Sequence, residues 1–206
     1  MDSALWKCTN CHHVELTTDK PERCPLCGVE AEKLVPHEIP GIKGIKTLKN
    51  LKDGFVAESQ AHQRNLAFAM KAEEDGYRQV ARLFRAIAEA EGVHAFHHLR
   101  LLGGVSDTQE NLESAFEREN LASSTYPQFI VEANKEDNAH VARIFSYSRD
   151  VERGHAKLYE KALEHMLADV DTEYYVCGVC GYVSDGVLPD RCPICGAPAE
   201  RFRKVV

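Results

Sequence analysis

The chain repeats itself. Sliding its 206 residues against themselves by 61 positions lays Asn50-Leu51 on Asn111-Leu112 and Phe55 on Phe116. The same shift lays Val80-Ala81-Arg82-Leu83-Phe84 on Val141-Ala142-Arg143-Ile144-Phe145. Self-similarity at one fixed offset marks a repeated supersecondary unit, and residues 50 to 168 are read as a duplicated helical hairpin. The duplication carries chemistry too. Glu58, Glu91 and His94 in the first copy recur as Glu119, Glu152 and His155, with the second Glu 33 and the His 36 residues after the first Glu in both.

Glu91 and His94 are i,i+3 neighbours, as are Glu152 and His155, so each pair projects from one face of its helix. A lone Glu on each of the other two helices completes an inward-facing set of the kind that ferritin-like di-iron and di-manganese bundles use. One Glu-x-x-His is a common accident. Two of them at one offset from two further Glu, inside a repeat, exclude a chance scatter of solvated charges. Carboxylates with one imidazole per metal suit iron or manganese better than a thiolate-seeking ion.

A formal charge of −7 and a pI near 5.8 exclude the basic face that nucleic acid or an anionic membrane surface requires. No long apolar run is present and Met1 to Cys8 lacks the pattern of a signal peptide, so a cytoplasmic protein with no membrane segment is expected. Neither G-x-G-x-x-G nor a P-loop is found, and no organic cofactor is indicated.

All eight cysteines lie near the two ends. Cys8 and Cys11 pair with Cys24 and Cys27, and Cys177 and Cys180 with Cys192 and Cys195, as C-x-x-C knuckles. In a reducing compartment that pattern is a tetrathiolate metal site and not a disulfide framework. Zinc and a single iron fit four thiolates equally well on spacing alone. Trp6 and Leu34 are expected to pack against the first site, and Tyr175, Tyr182 and Phe202 against the second. Each module is too small to bury a core and depends on its metal to fold. Gly181 follows the first C-terminal knuckle where His12 follows the N-terminal one, so the C-terminal module is expected to hold the less strained turn.

The expected domains are an N-terminal module at 1–36, a linker at 37–48, a four-helix bundle at 49–169 and a C-terminal module at 170–206. Helices are expected at 49–74, 77–102, 109–134 and 138–169, broken by Gly76 and Gly103-Gly104. Val80, Leu83, Phe84, Ile87 and Ala88 form the core stripe of the second helix.

Taken together, Gly54-Phe55-x-x-Glu58-Ser59-Gln60-Ala61, the two Glu-x-x-His pairs and Cys192-Pro-x-Cys195-Gly resemble the rubrerythrin family. That family joins a ferritin-like di-iron four-helix bundle to a rubredoxin-like iron–tetracysteine domain. The chain looks like a member with one such module at each end. The resemblance implies Glu58 and Glu119 as terminal ligands, Glu91 and Glu152 as bridges, and His94 and His155 as imidazole ligands. Two departures stand out. The turn after Glu119 holds Leu121, Ala122 and Ser123 where the family has a seventh carboxylate. The family tyrosine seven residues after Glu58 is Asn65 here, while the second copy has Tyr126, a candidate catalytic residue. A six-ligand two-fold set is similar to a bacterioferritin centre.

The resemblance implies a peroxidase that reduces hydrogen peroxide to water, defends against oxidative stress and receives electrons from a redox-protein donor through Fe(Cys)4 sites. Ferroxidase or oxygen-reductase activity is the alternative enzyme reading. An iron-binding scaffold with zinc-ribbon modules is a third. His155 precedes Cys177 by 22 residues, which suggests a C-terminal module too far from its own bundle for fast transfer. A head-to-tail homodimer follows as an expectation.

Overall fold

The computed structural model describes residues 4–166 and 171–206. Four long helices dominate: α1 (Ile45–Glu74), α2 (Arg78–Leu101), α3 (Thr108–Lys135) and α4 (Ala139–His165). The expected helix end at Asp169 lies outside the described residues. α1 and α2 pack together as one hairpin, and α3 and α4 as a second.

The turns inside the hairpins repeat with the sequence. Gly76 takes φ +84°, and the N–H of Tyr77 reaches back to the Ala72 carbonyl at 2.8 Å. At the same place in the second copy Asp137 takes φ +58°, and the Asn138 N–H bonds the Ala133 carbonyl at 2.8 Å. Both are helix ends closed by a left-handed residue. Asp107 opens α3 by accepting the Glu110 N–H at 2.9 Å, as an N-cap does.

Small residues line the seam of each hairpin. Ala72, Ala81 and Ala95 are buried in the first, and Ala133, Ala142 and Ala156, at the 61-residue offset, are buried in the second. Without bulk in the way, two helices approach toward the short end of the usual 8–10 Å spacing. Two histidines use further gaps in hairpin one. A Cβ on Gly92 would stand 3.1 Å from His62 Nδ1, and one on Gly54 would stand 2.9 Å from His98 Cε1. His62 and His98 therefore pack between α1 and α2 and are not free helix-surface groups. His62 Nδ1 bonds the Ala88 carbonyl at 2.7 Å.

The expected core stripe of α2 behaves differently. Ala88 is buried, but Val80, Leu83 and Ile87 are 43%, 60% and 41% exposed. A two-helix hairpin buries only the face where its helices meet, and the alanines occupy that face. The larger side chains stand on the neighbouring face.

The two end modules share one topology. In the first, β1 (Ala4–Cys8) lies between β2 (Val14–Thr17) and β3 (Leu34–Pro36), both antiparallel to it. In the second, β4 (Tyr174–Cys177) lies between β5 (Val183–Asp185) and β6 (Phe202–Lys204). Leu34 is the bulkiest fully buried side chain of the chain's described residues, and cysteines follow it. Tyr182 meets Phe202 edge to face at 6.4 Å. Cores this small leave the metal to supply much of the folding free energy.

Candidate metal centres

Each cysteine quartet is closed. The sulfurs of Cys8, Cys11, Cys24 and Cys27 lie within 4.8 Å of one another, as do those of Cys177, Cys180, Cys192 and Cys195. Cys11 and Cys24 stand 3.6 Å apart, Cys180 and Cys192 3.5 Å, and none of the eight is in a disulfide. Backbone N–H groups point at sulfur: those of Val179 and Cys180 at Cys177, and that of Ala197 at Cys195. Burial pushes the Cys180 thiol well up against those donors. Four neighbouring sulfurs with amide donors are the surroundings a tetrathiolate metal needs.

The turns after the first knuckles show the expected difference. Gly181 sits at φ +84° and His12 at φ +58°, so both occupy the left-handed region, where a side chain costs energy. His12 has a use that offsets the cost. Its ring lies 3.2 Å from Glu113 and 3.6 Å from Glu110, both at the start of α3. The N-terminal module also has a side-chain donor to sulfur, Asn10 Nδ2 to Cys27 at 3.6 Å.

The carboxylate–imidazole triplets assemble as their spacing requires. Glu58, Glu91 and His94 form one cluster with ligand atoms within 4.8 Å, and Glu119, Glu152 and His155 form another. His94 Nδ1 is 3.0 Å from Glu91 and 3.9 Å from Glu58. His155 Nδ1 is 3.1 Å from Glu152 and 3.9 Å from Glu119, the same arrangement within 0.1 Å. The pairing of like charges shows in the acidities. Glu58 is raised by its hydrogen bond to Glu91, whereas that bond and His94 hold Glu91 low. Burial and then the neighbouring Glu152 carboxylate push Glu119 up to about 8. Crowded carboxylates that resist full ionisation are what a pair of cations relieves.

The clusters differ in their surroundings. The His94 side chain is 56% exposed and that of His155 only 23%. The difference comes from the C-terminal module, which folds back along its own α4. The His155 Nε2–H donates to the Gly181 carbonyl at 3.2 Å, and Lys161 pairs with Asp185. A module expected to be out of reach instead touches the imidazole of its own chain. That bond also fixes the tautomer, leaving Nδ1 free toward the carboxylates.

Beside Glu119 and Glu152 a cavity of about 420 Å³ opens, lined also by Leu121, Ala122, Tyr126 and Leu26 of the Cys24–Cys27 knuckle. Tyr126 packs against Phe129 and Phe145 at about 6 Å. Leu121 and Ala122 give this wall an apolar surface where the family has its seventh carboxylate. Sequence reasoning passed over Tyr159. Burial and the charges of Glu119 and Glu152 raise its hydroxyl's pKa, which puts it near both carboxylates. The available signal was its position one turn after His155, where the first copy has His98.

Oxygen donors with one imidazole per triplet, and four thiolates per quartet, are the sets that iron takes in such sites. The family described as "Rubrerythrin" matches residues 49–110 and 110–183, and that described as "Rubrerythrin, rubredoxin-like domain" matches 6–34 and 175–203. The chain belongs to the rubrerythrin family. It is similar to nigerythrin of Nitratidesulfovibrio vulgaris, at 34% identity over 76% of this chain and 85% of that one. It is also similar to rubrerythrin of Porphyromonas gingivalis, at 33% identity over 78% of this chain and 90% of that one. A solved structure of nigerythrin in a mixed-valence state aligns with a TM-score of 0.48 at 32% identity, over 80% of this chain and 89% of that one.

Within this family the four helices make the ferritin-like fold, here with a rubredoxin-like module at each end. Iron is the cofactor, and the chain is an oxidoreductase of the rubrerythrin kind. None of the described helices is long and apolar enough to cross a membrane.

Proposed function

We propose that this rubrerythrin reduces hydrogen peroxide to water, taking one electron at a time through its tetracysteine modules. The observation that carries this reading is the 3.2 Å bond from His155 Nε2 to the Gly181 carbonyl. Gly181 follows Cys180, so this bond joins a tetrathiolate knuckle directly to an imidazole of the carboxylate cluster. The overall change is H2O2 + 2 e⁻ + 2 H⁺ → 2 H2O. When bound, a carboxylate-bridged di-iron pair supplies both electrons for O–O cleavage, and a one-electron tetrathiolate site restores them singly.

The chain's own residues do the rest. Glu58 and Glu119 are terminal carboxylate ligands, Glu91 and Glu152 are bridges, and His94 and His155 bind through Nδ1. Cys8, Cys11, Cys24 and Cys27, and Cys177, Cys180, Cys192 and Cys195, are the ligands of the two modules. The Tyr126 hydroxyl, on the cavity wall with Glu119 and Glu152, donates a hydrogen bond to substrate oxygen. The apolar wall of Leu121 and Ala122 limits water around it. The electrons come from a soluble redox protein.

The test is a stopped-flow comparison of the fully reduced protein mixed with hydrogen peroxide or with oxygen. Peroxide should reoxidise it at least tenfold faster. Equal or faster reaction with oxygen, or iron(II) consumed in multiple turnovers, would instead establish the ferroxidase reading. That second reading draws its support from the missing seventh carboxylate at Leu121, Ala122 and Ser123.

A further inference from the structure

Neither helical hairpin is a finished object. Large apolar side chains stand exposed on both, and they recur at the 61-residue offset. Phe68 and Phe129 are 51% and 40% exposed, Val80 and Val141 43% and 40%, and Leu83 and Ile144 60% and 46%. On α2 this face is continuous with the metal face. Val80, Phe84, Ile87, Glu91 and His94 follow one another at i, i+4, i+7, i+11 and i+14, a single stripe on a helix. An apolar stripe that runs into three ligands is the inner face of a bundle waiting for its other half.

In a ferritin-like bundle the two hairpins of a chain are joined by a long crossover. This chain has only Leu102 to Asp107 between α2 and α3. The first part of that stretch stays wound on α2, with the Leu102, Gly103 and Gly104 N–H groups bonded to the carbonyls of His98, Arg100 and Leu99. Asp107 is already the cap of α3. From Gly104 to Asp107 the free chain reaches roughly 10 Å, and even 101 to 108 pulled straight spans only about 25 Å.

The crossover needed is longer. α2 continues seven residues beyond His94, and α3 begins eleven residues before Glu119. At 1.5 Å per residue, bringing those ligands level asks for a climb of about 27 Å, with a sidestep of one helix spacing. The "Rubrerythrin" match is itself divided at residue 110, beside this connection.

We propose that the occupant of each exposed face is the opposite hairpin of a second copy of this chain, giving a swapped dimer with two shared metal centres. Each centre takes Glu58, Glu91 and His94 from one protomer, and the residues at Glu119, Glu152 and His155 from the other. A second copy is free of the short tether. Because the faces are copies of one another, the contact is self-complementary and closes with two-fold symmetry. The inference rests on these six residues being the ligands proposed above. It adds that no single chain supplies all six to one ferritin-like centre.

Complementation decides it. One variant carries Glu91→Ala with His94→Ala, the other Glu152→Ala with His155→Ala, each with its own affinity tag. Alone, neither should retain bundle iron, counted as total iron less the tetracysteine iron read from its visible absorption. Co-expressed and purified through both tags, the swapped heterodimer contains one wholly intact centre and should regain two bundle irons per dimer. In chains that each build their own centre, every centre is broken and no iron returns. Heterodimers with no more bundle iron than the parents overturn the proposal, as does wild-type protein that light scattering shows to be monomeric with full bundle iron. Wild-type dimers lacking bundle iron altogether would overturn the ligand assignment as well. Inserting about 15 Gly/Ser residues after Gly104 gives a tether able to span the bundle. The product should shift from dimer to monomer, and a dimer that still complements counts against the tether argument.

Discussion

Glycine to alanine at Gly154 and at Gly92 should move stability in different directions, although both lie inside a Glu-x-x-His turn. In a helix interior alanine is favoured over glycine by about 0.8–1.0 kcal/mol, because glycine loses more backbone freedom on folding. At Gly154 nothing lies within 4 Å of an added Cβ, so the full gain is expected. At Gly92 the new Cβ would lie 3.1 Å from His62 Nδ1 and 3.4 Å from Cε1. The ring must yield by a few tenths of an ångström, and it is held by the 2.7 Å bond to the Ala88 carbonyl. Losing that bond costs about 0.5–1.5 kcal/mol, which cancels or outweighs the helix gain.

The two variants should therefore differ by about 1 kcal/mol, or roughly 2–4 °C in melting temperature for a chain of this size. Helix ellipticity followed through urea and thermal denaturation of chelated protein reads the difference. The second repeat suggests a control. The positions matching His62 and Gly92 hold Ser123 and Arg153, a small residue facing a large one. His62→Ser should accordingly recover the gain for Gly92→Ala. The reasoning is refuted if Gly92→Ala alone stabilises as much as Gly154→Ala.

Asp137 occupies the left-handed position that Gly76 occupies in the first copy, so Asp137→Gly should raise stability by up to about 1 kcal/mol, read from the denaturation midpoint. Glu119 binds its proton more tightly in the folded metal-free protein, with a pKa of about 8 against an ordinary 4.5. Its contribution is complete below 4.5 and is lost as pH rises toward 8, so metal-free stability should fall across that window. Glu119→Gln should flatten the slope, and adding iron(II) at pH 7 should release the Glu119 proton from wild type only. Glu91→Ala removes a bridging carboxylate shared by two cations and should lose both bundle irons. Retention of one full equivalent, measured by metal analysis, would refute the bridged arrangement.

The sequence by itself determined the repeat, the six ligand candidates and the two cysteine quartets. These rest on local geometry: an i,i+3 pair shares a helix face, and a C-x-x-C knuckle turns two sulfurs toward one point, whatever the rest of the chain does. The turn at Gly76 was legible for the same reason, and its copy at Asp137 follows from the offset. Other features needed the tertiary structure. The 22 residues between His155 and Cys177 do not say whether the chain runs away from α4 or back along it. The bond from His155 to Gly181 exists because it runs back. The size exchange of His62 over Gly92 is a contact between two helices, invisible to the periodicity of either. Nor did the α2 stripe reveal which of its members would be covered. Val80 and Ala88 both read as core, yet only the alanine faces the other helix of the hairpin. Periodicity names the apolar face, but coverage depends on where the connections let a partner sit, and a short link between α2 and α3 decides that in three dimensions.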